Sequence, residues 1–179
     1  MDINDEKIVN NVEFQEIIKE LISNETVQKM KNFRQHADTD CFEHCYMAAY
    51  YSYRICKKLH WDYVSVTRAA MLHDLFLYDW RVKNGNIKGL HAFTHGKIAY
   101  ENAIKLFDLS DKEKDIIIKH MWPVILVPPK YKEGFVLTLV DKYCAIAETR
   151  RDFFKNMSFR KVLRYSYVLL GVIIFRKRP

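Results

Sequence analysis

The residues of this chain that could carry chemistry are four histidines and two aspartates in its middle part. In chain order they are His44, His73, Asp74, His95, His120 and Asp141. Imidazole nitrogens and carboxylate oxygens are the protein groups that bind divalent transition metals. Six such groups are of the right types, and sufficient in number, to hold two divalent ions.

Helices are the elements that must position these groups, because the composition is poor in turn-forming residues. Five of the 179 residues are Gly and four are Pro, whereas 49% are hydrophobic. Apolar residues recur at helical spacing, and polar caps and prolines separate the runs. The predicted helices cover 12–21, 24 to between 30 and 33, 42–59, 62–77, 94–107, 110 to shortly after 120, and 132–154. Residues 35–40 and 79–90 are predicted loops. Because every regular segment is predicted to be a helix, the fold class is predicted to be all-α.

Sequence signals also mark where several helices begin. Asp62 and Thr94 are predicted N-caps of the helices that follow them. Ser110 and Glu113 have the spacing of a capping box, and Pro123 ends that helix soon after its histidine.

Each candidate metal ligand lies on the apolar face of its helix. Residues three, four and seven positions apart share one face. His120, for example, follows Ile116 and Ile117, and Asp141 lies one turn after Leu137. Burying an unpaired carboxylate is costly, and no Lys or Arg is evident on these faces to compensate. A single such histidine is usually structural, but six convergent groups favour a metal site.

The ordered set of histidines and aspartates resembles a known family. With a helix under each member, it is similar to the set of the HD-domain metal-dependent phosphohydrolase superfamily, over roughly residues 35–150. Five segments resemble a branch of small bacterial HD proteins: QH at 35–36, FEH at 42–44, LHDLFLYDW at 72–80, HMWP at 120–123 and DKYC at 141–144. The His-Asp dipeptide alone is weak evidence, so the resemblance depends on the whole set.

The resemblance implies a fold and a ligand arrangement. The fold would be a compact HD-type bundle of about six to eight helices, in a single domain over 1–179. Its core would span about 35–150, with N-terminal helices at 10–33 and a basic, apolar extension at 151–179. The first metal would be held by His44, His73, Asp74 and Asp141. Asp74 would bridge to a second metal, held by His95 and His120.

The implied activity is hydrolysis of a small phosphate ester, a nucleotide or a related phosphomonoester or diester. Divalent metal lowers the pKa of coordinated water to about 7, and Asp74 and Asp141 are the implied catalytic residues. The mixed ligands suit Mn, Fe, Co, Ni or Zn, with Mg a weaker fit. Two alternatives stay open: a di-iron oxygenase on the same scaffold, and a non-catalytic regulatory module that binds metal.

Five further residues are candidate substrate contacts: His36, Arg81, His91, Lys97 and Lys142. Arg81 lies in the loop 79–90, which could fold over the site. His36 and His91 are loop histidines that could donate a proton, contact substrate or serve the structure. Lys97 lies one turn into its helix. Lys142 follows a ligand, but successive helical residues are turned ~100° apart, so a solvated or carboxylate-paired Lys is an equal alternative.

Positive charge is concentrated towards the end of the chain, where it suggests a second kind of contact. The net charge is +7, yet residues 150–179 contain nine Lys and Arg against one acid, so residues 1–149 are nearly neutral. The extension combines these bases with an apolar run at 165–175. It is predicted to dock on the domain or to contact an anionic membrane surface weakly. No motif for specific nucleic-acid recognition is present.

Cysteine usage and the first residues favour a cytoplasmic location. The four cysteines have no disulfide-framework spacing, and residues 1–6 lack the basic-then-apolar order of a secretion signal. No stretch reaches the ~20 apolar residues that span a bilayer. Cys41 and Cys45 flank a histidine, but no second pair follows that would complete a structural zinc site.

Overall fold

Eight α-helices, one 3₁₀ helix and one small hairpin make up the regular structure of the described residues. The computed structural model describes residues 5–36, 38–81 and 90–156, apart from the side chains of His36, Lys155 and Asn156. The helices are α1 (Glu6–Val9), α2 (Val12–Ser23), α3 (Glu25–Gln28), α4 (Cys41–Lys58), α5 (Tyr63–Leu72), α6 (His91–Ala103), α7 (Asp111–Lys119) and α8 (Lys132–Asn156). A 3₁₀ helix covers Lys29–Asn32, and strands β1 (Arg34–His36) and β2 (Thr39–Asp40) pair antiparallel. The prediction of an all-α fold class is confirmed.

Capping side chains explain where the site-bearing helices begin. The carboxylate of Asp40 accepts a hydrogen bond at 2.8 Å from the backbone N–H three residues later, at the start of α4. Asp62 caps α5 in the same way through the N–H of Ser65, at 3.0 Å. Ser110 and Glu113 form the predicted capping box of α7. Each such cap typically stabilises a helix by about 1 kcal/mol.

The bundle is organised around α4, which packs against α5 and α8. α7 in turn contacts α5, α6 and α8. The buried hydrophobic cluster extends from α1 to α8 and includes the fully buried Phe14, Ile18 and Leu21 of α2. The N-terminal helices therefore share one core with the helices that carry the candidate ligands.

The helix that leads to the His-Asp pair is shorter than predicted. α5 ends at Leu72 rather than at 77, so the pair lies immediately after its C-terminal end. A tertiary contact replaces helical hydrogen bonding just after the pair. The side-chain amide of Asn102 donates a hydrogen bond to the carbonyl oxygen of Leu75 at 2.8 Å. Leu77 has a φ of 52°, which a continuing right-handed helix does not allow. Apolar periodicity does not report such contacts.

Two other predicted boundaries were also wrong. The predicted loop at 35–40 is largely a tight hairpin, in which Arg34 pairs with Asp40. Its strands are too short to give a recognisable alternation. α6 begins at His91, not after Thr94, and ends at Ala103. Thr94 lies inside the first turn, where its hydroxyl donates to the carbonyl oxygen of Leu90 at 3.3 Å instead of capping the helix.

Some predictions fall outside the described residues. The loop 79–90 is described only at its ends, because residues 82–89 lie outside, and the extension 151–179 is described only to 156, within α8. The docking of the extension, its membrane contact and the extent of the single domain therefore stay predictions. Within the described ranges, no helix combines the length and hydrophobicity that crossing a membrane requires.

Candidate metal centre

The six candidate ligands meet in one buried cluster. Their positions are His44 in α4, His73 and Asp74 after α5, His95 in α6, His120 at the end of α7 and Asp141 in α8. Each of them is at most 8% exposed. The helix faces that the sequence assigned to these groups thus turn towards one another.

One set of ligand atoms comprises His44, His73, Asp141 and one oxygen of Asp74. Oδ1 of Asp141 lies 3.0 Å from Nε2 of His44 and 3.7 Å from Nε2 of His73. Oδ2 of Asp74 lies 3.3 Å from Nε2 of His73 and 3.9 Å from Nε2 of His44. Two ligand atoms that each lie ~2.1 Å from a common ion are about 3.0–3.4 Å apart. The spacing of this first set is therefore close to that of ligands around one metal.

The other oxygen of Asp74 faces a second set. Oδ1 of Asp74 lies 3.4 Å from Nε2 of His95 and 3.7 Å from Nε2 of His120. The two Nε2 atoms of His95 and His120 are 2.8 Å apart. The two oxygens of a single carboxylate thus face two separate groups of ligand atoms.

Backbone carbonyls determine which ring nitrogen points into the cluster. Nδ1 of His73, His95 and His120 lies in each case 2.7–2.8 Å from a carbonyl oxygen in the preceding turn. A carbonyl oxygen can only accept, so each Nδ1 donates its hydrogen. In the neutral rings, Nε2 then carries a free lone pair directed at the cluster. This is the tautomer that binds a metal through Nε2.

Unpaired polar atoms show that these residues suit a bound cation. Nε2 of His73 and Oδ1 of Asp74 are buried and have no hydrogen-bond partner. The lone pairs of His95 and His120 face each other at 2.8 Å. Buried polar atoms of this kind are costly unless they are paired, and bound cations would satisfy these three rings and this one carboxylate. The buried His and Asp groups could therefore hold a metal ion.

The surroundings shift the pKa of three histidines of the cluster in different directions. Burial, with a smaller effect of the neighbouring histidines, lowers the pKa of His120 to about 3, so this ring is neutral. Burial also disfavours charge on His44, but the carboxylates of Asp141 and Glu148 raise its pKa to about 10. Burial opposes a proton on His73 too, yet Asp74 raises its pKa. The first set therefore attracts positive charge.

The carboxylates stay ionised although they are buried. Burial alone would raise the pKa of Asp74, but His73 holds it well below its usual range. The same balance applies to Asp141, whose pKa His44 and His73 keep far below its ordinary value. Two buried negative charges are thus present, and either protonated imidazoles or a bound cation must balance them.

Two residues that the sequence argument missed complete the cluster. Glu148 is 2% exposed and places its two carboxylate oxygens 3.0 and 3.1 Å from Nδ1 of His44. Gln35 in β1 donates from its side-chain amide to Oδ2 of Asp74, and its own amide oxygen is buried and unpaired. Glu148 follows Asp141 by seven residues, which is two helical turns, so the two share a helix face, but this spacing does not identify the partner of Glu148. Gln35 lies in a hairpin that was not predicted.

A cavity of about 600 Å³ opens beside the cluster. Its lining comprises Gln35, Asp74, Trp80, Leu90, His91, Ala92, His95, His120, Met121, Asp141, Lys142 and Ala145. Lys142 is the only Lys or Arg among these described lining residues, and its Nζ donates to the carbonyl oxygen of Thr138 at 3.3 Å. Burial lowers the pKa of Lys142, an effect that Asp141 opposes. Lys142, predicted as a substrate contact, therefore does reach the space beside the ligands.

His91 is the second predicted substrate contact that lines the cavity. Its ring is nearly parallel to those of Trp80 and His95, with centroids 5.2 and 4.5 Å away. Its Nδ1 lies 2.9 Å from the hydroxyl of Tyr78. Burial, followed by the nearby His95, lowers the pKa of His91 to about 4, so the ring is neutral at pH 7. His91 lies in the first turn of α6, not in a loop as predicted.

Two other predicted contacts do not line the cavity, and the third has a side chain outside the described part of the structure. The side chain of Lys97 is 73% exposed and lies 3.8 Å from Glu101, because position 97 is two residues after a ligand and so on the opposite face of α6. Arg81 pairs at the surface with Asp79, at 2.8 Å. These two predictions are therefore not supported by the positions found. His36 belongs to β1, but its side chain lies outside the described part.

Two buried thiols border the cluster, and with Asp74 they form a further group that could hold a metal ion. The thiol of Cys41 donates to the backbone oxygen of Asp74 at 3.1 Å, and Sγ of Cys45 lies 3.5 Å from Nδ1 of His73. Burial raises the pKa of both thiols, which keeps them protonated. Metals bind the thiolate, so a metal ion at these sulfurs would have to displace the thiol protons.

Comparisons of the chain with protein families, with curated proteins and with solved structures gave no match. The chemistry of this centre must therefore be inferred from its own residues.

Proposed function

We propose that this protein is a metal-dependent phosphohydrolase of the HD-domain type, which cleaves a small phosphate ester at a centre of two divalent ions. The observation that carries the proposal is the position of Asp74, whose two oxygens face two separate ligand sets. A carboxylate shared in this way would hold two ions close together, and dinuclear enzymes that cleave phosphate esters space their ions by ~3.5–4 Å. The order of the ligands along the chain, which resembles that of the HD superfamily, supports the same proposal.

The first ion would be held by His44, His73, Asp74 and Asp141, and the second by Asp74, His95 and His120. Such ions, when bound, supply Lewis acidity and lower the pKa of coordinated water to about 7. A ligand set of imidazoles and carboxylates suits Mn, Fe, Co, Ni or Zn better than Mg.

The protein's own residues would bind and orient the ester. Lys142 lines the cavity beside Asp141 and would pair with a phosphate oxygen. Gln35 holds Oδ2 of Asp74 through its side-chain amide and would thereby fix the orientation of that carboxylate. The apolar wall, which includes Trp80 and Met121, would contact the alcohol part of the ester. A cavity of about 600 Å³ lies within the range of small-molecule sites.

The experiment that tests the proposal is metal analysis of the purified protein, followed by phosphate-release assays. An aryl phosphate and a panel of nucleotides and sugar phosphates would be incubated with Mn²⁺. We expect turnover that Asp74→Ala abolishes and that Lys97→Ala, an exposed change, leaves intact. Turnover that survives in Asp74→Ala would reject the proposed centre. Bound iron with oxygen consumption and no phosphate release would support the oxygenase, and metal binding without turnover would support the regulatory module.

A further inference from the structure

We infer that Glu148 is a positioning residue of the metal centre, which fixes the ring of His44 so that its Nε2 is directed at the first ion. This inference rests on the metal-binding part of the proposed function. It concerns a residue outside the six predicted ligands.

Contacts on both sides of one imidazole carry the argument. Both carboxylate oxygens of Glu148 lie within hydrogen-bond distance of Nδ1 of His44, at 3.0 and 3.1 Å. On the other side of the ring, Nε2 of His44 lies 3.0 Å from Oδ1 of Asp141. An ionised carboxylate can only accept, so Nδ1 must donate and the remaining ring nitrogen is the one left for a metal.

The fold places Glu148 for this contact. α8 packs against α4, and Glu148 lies two helical turns after Asp141, so the two carboxylates share the face of α8 that meets α4. His44 points from α4 towards both of them. Glu148 is 2% exposed, which removes the water that would compete for Nδ1. One helix therefore supplies both a candidate ligand and the group that orients a neighbouring ligand.

His44 differs from the other three histidines in what holds its Nδ1. In His73, His95 and His120 a neutral backbone carbonyl accepts the hydrogen. At His44 the acceptor is a charged side chain, which makes the ring a stronger metal ligand as well as orienting it. Loss of such a partner typically lowers metal affinity 10–100-fold. We expect this loss at the first ion alone, because Glu148 contacts a ligand of that set.

The test compares Glu148→Gln with a matched control on the same helix. Asp152→Asn is the control, since Asp152 is 5% exposed, lies one turn further along α8 and accepts a hydrogen bond from the backbone N–H of Asp38. Mn²⁺ would be titrated into each full-length protein, with the free ion followed by electron paramagnetic resonance. Zn²⁺-saturated samples would give the proton chemical shift of the His44 Nδ1–H by NMR.

Glu148→Gln should bind the first ion 10–100-fold more weakly, bind the second ion normally and shift the His44 Nδ1–H signal upfield. Asp152→Asn should change none of these. Equal losses in the two variants, or an affinity of Glu148→Gln within twofold of the wild type, would overturn the inference. If Glu148→Gln does not fold, the affinity of Glu148→Asp for the first ion is measured instead. It keeps the charge but retracts it by one methylene, and an unchanged first affinity in that variant would count against the role.

These readouts separate the inference from the proposed activity. A protein that shows the selective loss in Glu148→Gln but releases no phosphate from any ester retains the positioning role and loses the phosphohydrolase proposal. If the protein releases phosphate but Glu148→Gln binds metal normally, the phosphohydrolase proposal stands and the positioning role of Glu148 is rejected.

Discussion

Removing His120 should empty one of the two proposed metal sites and leave the other. Its Nε2 lies 2.8 Å from that of His95 and 3.7 Å from Oδ1 of Asp74, which places it in the second set. We expect His120→Ala to bind one equivalent of divalent metal where the wild type binds two. Asp74→Ala loses both shared oxygens, so it should bind neither ion tightly.

The expected loss of metal-induced stabilisation follows from the number of metal sites. A ligand at 100 times its dissociation constant stabilises the folded state by about 2.7 kcal/mol per site. Two sites then contribute about 5.4 kcal/mol, and His120→Ala should retain about half of that stabilisation. For a chain of this size, about 2–4 °C of melting temperature corresponds to 1 kcal/mol. The metal-induced rise in melting temperature should therefore fall by about 5–11 °C in the variant.

The assay is thermal unfolding with chelator and with saturating Mn²⁺, together with metal analysis after gel filtration. Comparing the two conditions within each variant removes the cost of deleting a buried ring. His91→Ala is the control, because His91 lies beside His95 in the cavity but belongs to neither ligand set. Two retained equivalents in His120→Ala, or a metal-induced rise equal to that of the wild type, would refute the division into two sets.

Three further changes test other parts of the structure. Lys142→Met should raise the KM for a phosphate ester by about 10-fold or more, because a charge-assisted hydrogen bond contributes about 1.5–3 kcal/mol, whereas Lys97→Met should not change steady-state kinetics. Glu13 has its pKa lowered from 4.5 to about 2, chiefly by Lys57, so its contribution to stability is present above pH 4.5 and is lost as the pH falls towards 2. In Glu13→Gln, the free energy of unfolding from urea denaturation should therefore depend less on pH than in the wild type, between pH 4.5 and 2 only. Ser110→Ala should lower the free energy of unfolding by about 1 kcal/mol, measured by the same method, through loss of the capping box.

The helices and the ligand set could be predicted because both follow from local patterns. Apolar periodicity and caps such as Asp62 and Ser110 report which segments are helical, and the structure places helices there. A ligand that must point inward shares its face with apolar residues, as His120 does with Ile116 and Ile117. Facing directions along each helix thus predicted the convergence of the helical ligands His44, His95 and Asp141, but not the helix end that precedes His73 and Asp74.

The residues that support the ligands could not be predicted from local patterns. Glu148 is one of four acids on α8, and only the packing of α8 on α4 gives it His44 as a partner. Gln35 reaches Asp74 from a hairpin whose strands are two and three residues long. Proximity in sequence was also misleading, since Lys97 is two residues from a ligand but faces solvent.

The early end of α5 is the wrong prediction that bears most directly on the site. Within a helix, the carbonyl of Ala70 would accept from the backbone N–H four residues later, at Asp74. Because α5 stops at Leu72, that carbonyl is one of the unsatisfied groups of a helix C-terminus, and it accepts instead from Nδ1 of His73, at 2.7 Å. α7 repeats the arrangement, where His120 at the C-cap donates to a carbonyl of the last turn at 2.8 Å. Two helix ends thus supply the acceptors that direct two Nε2 atoms at the cluster, so the breaks in helical structure are what orient these ligands.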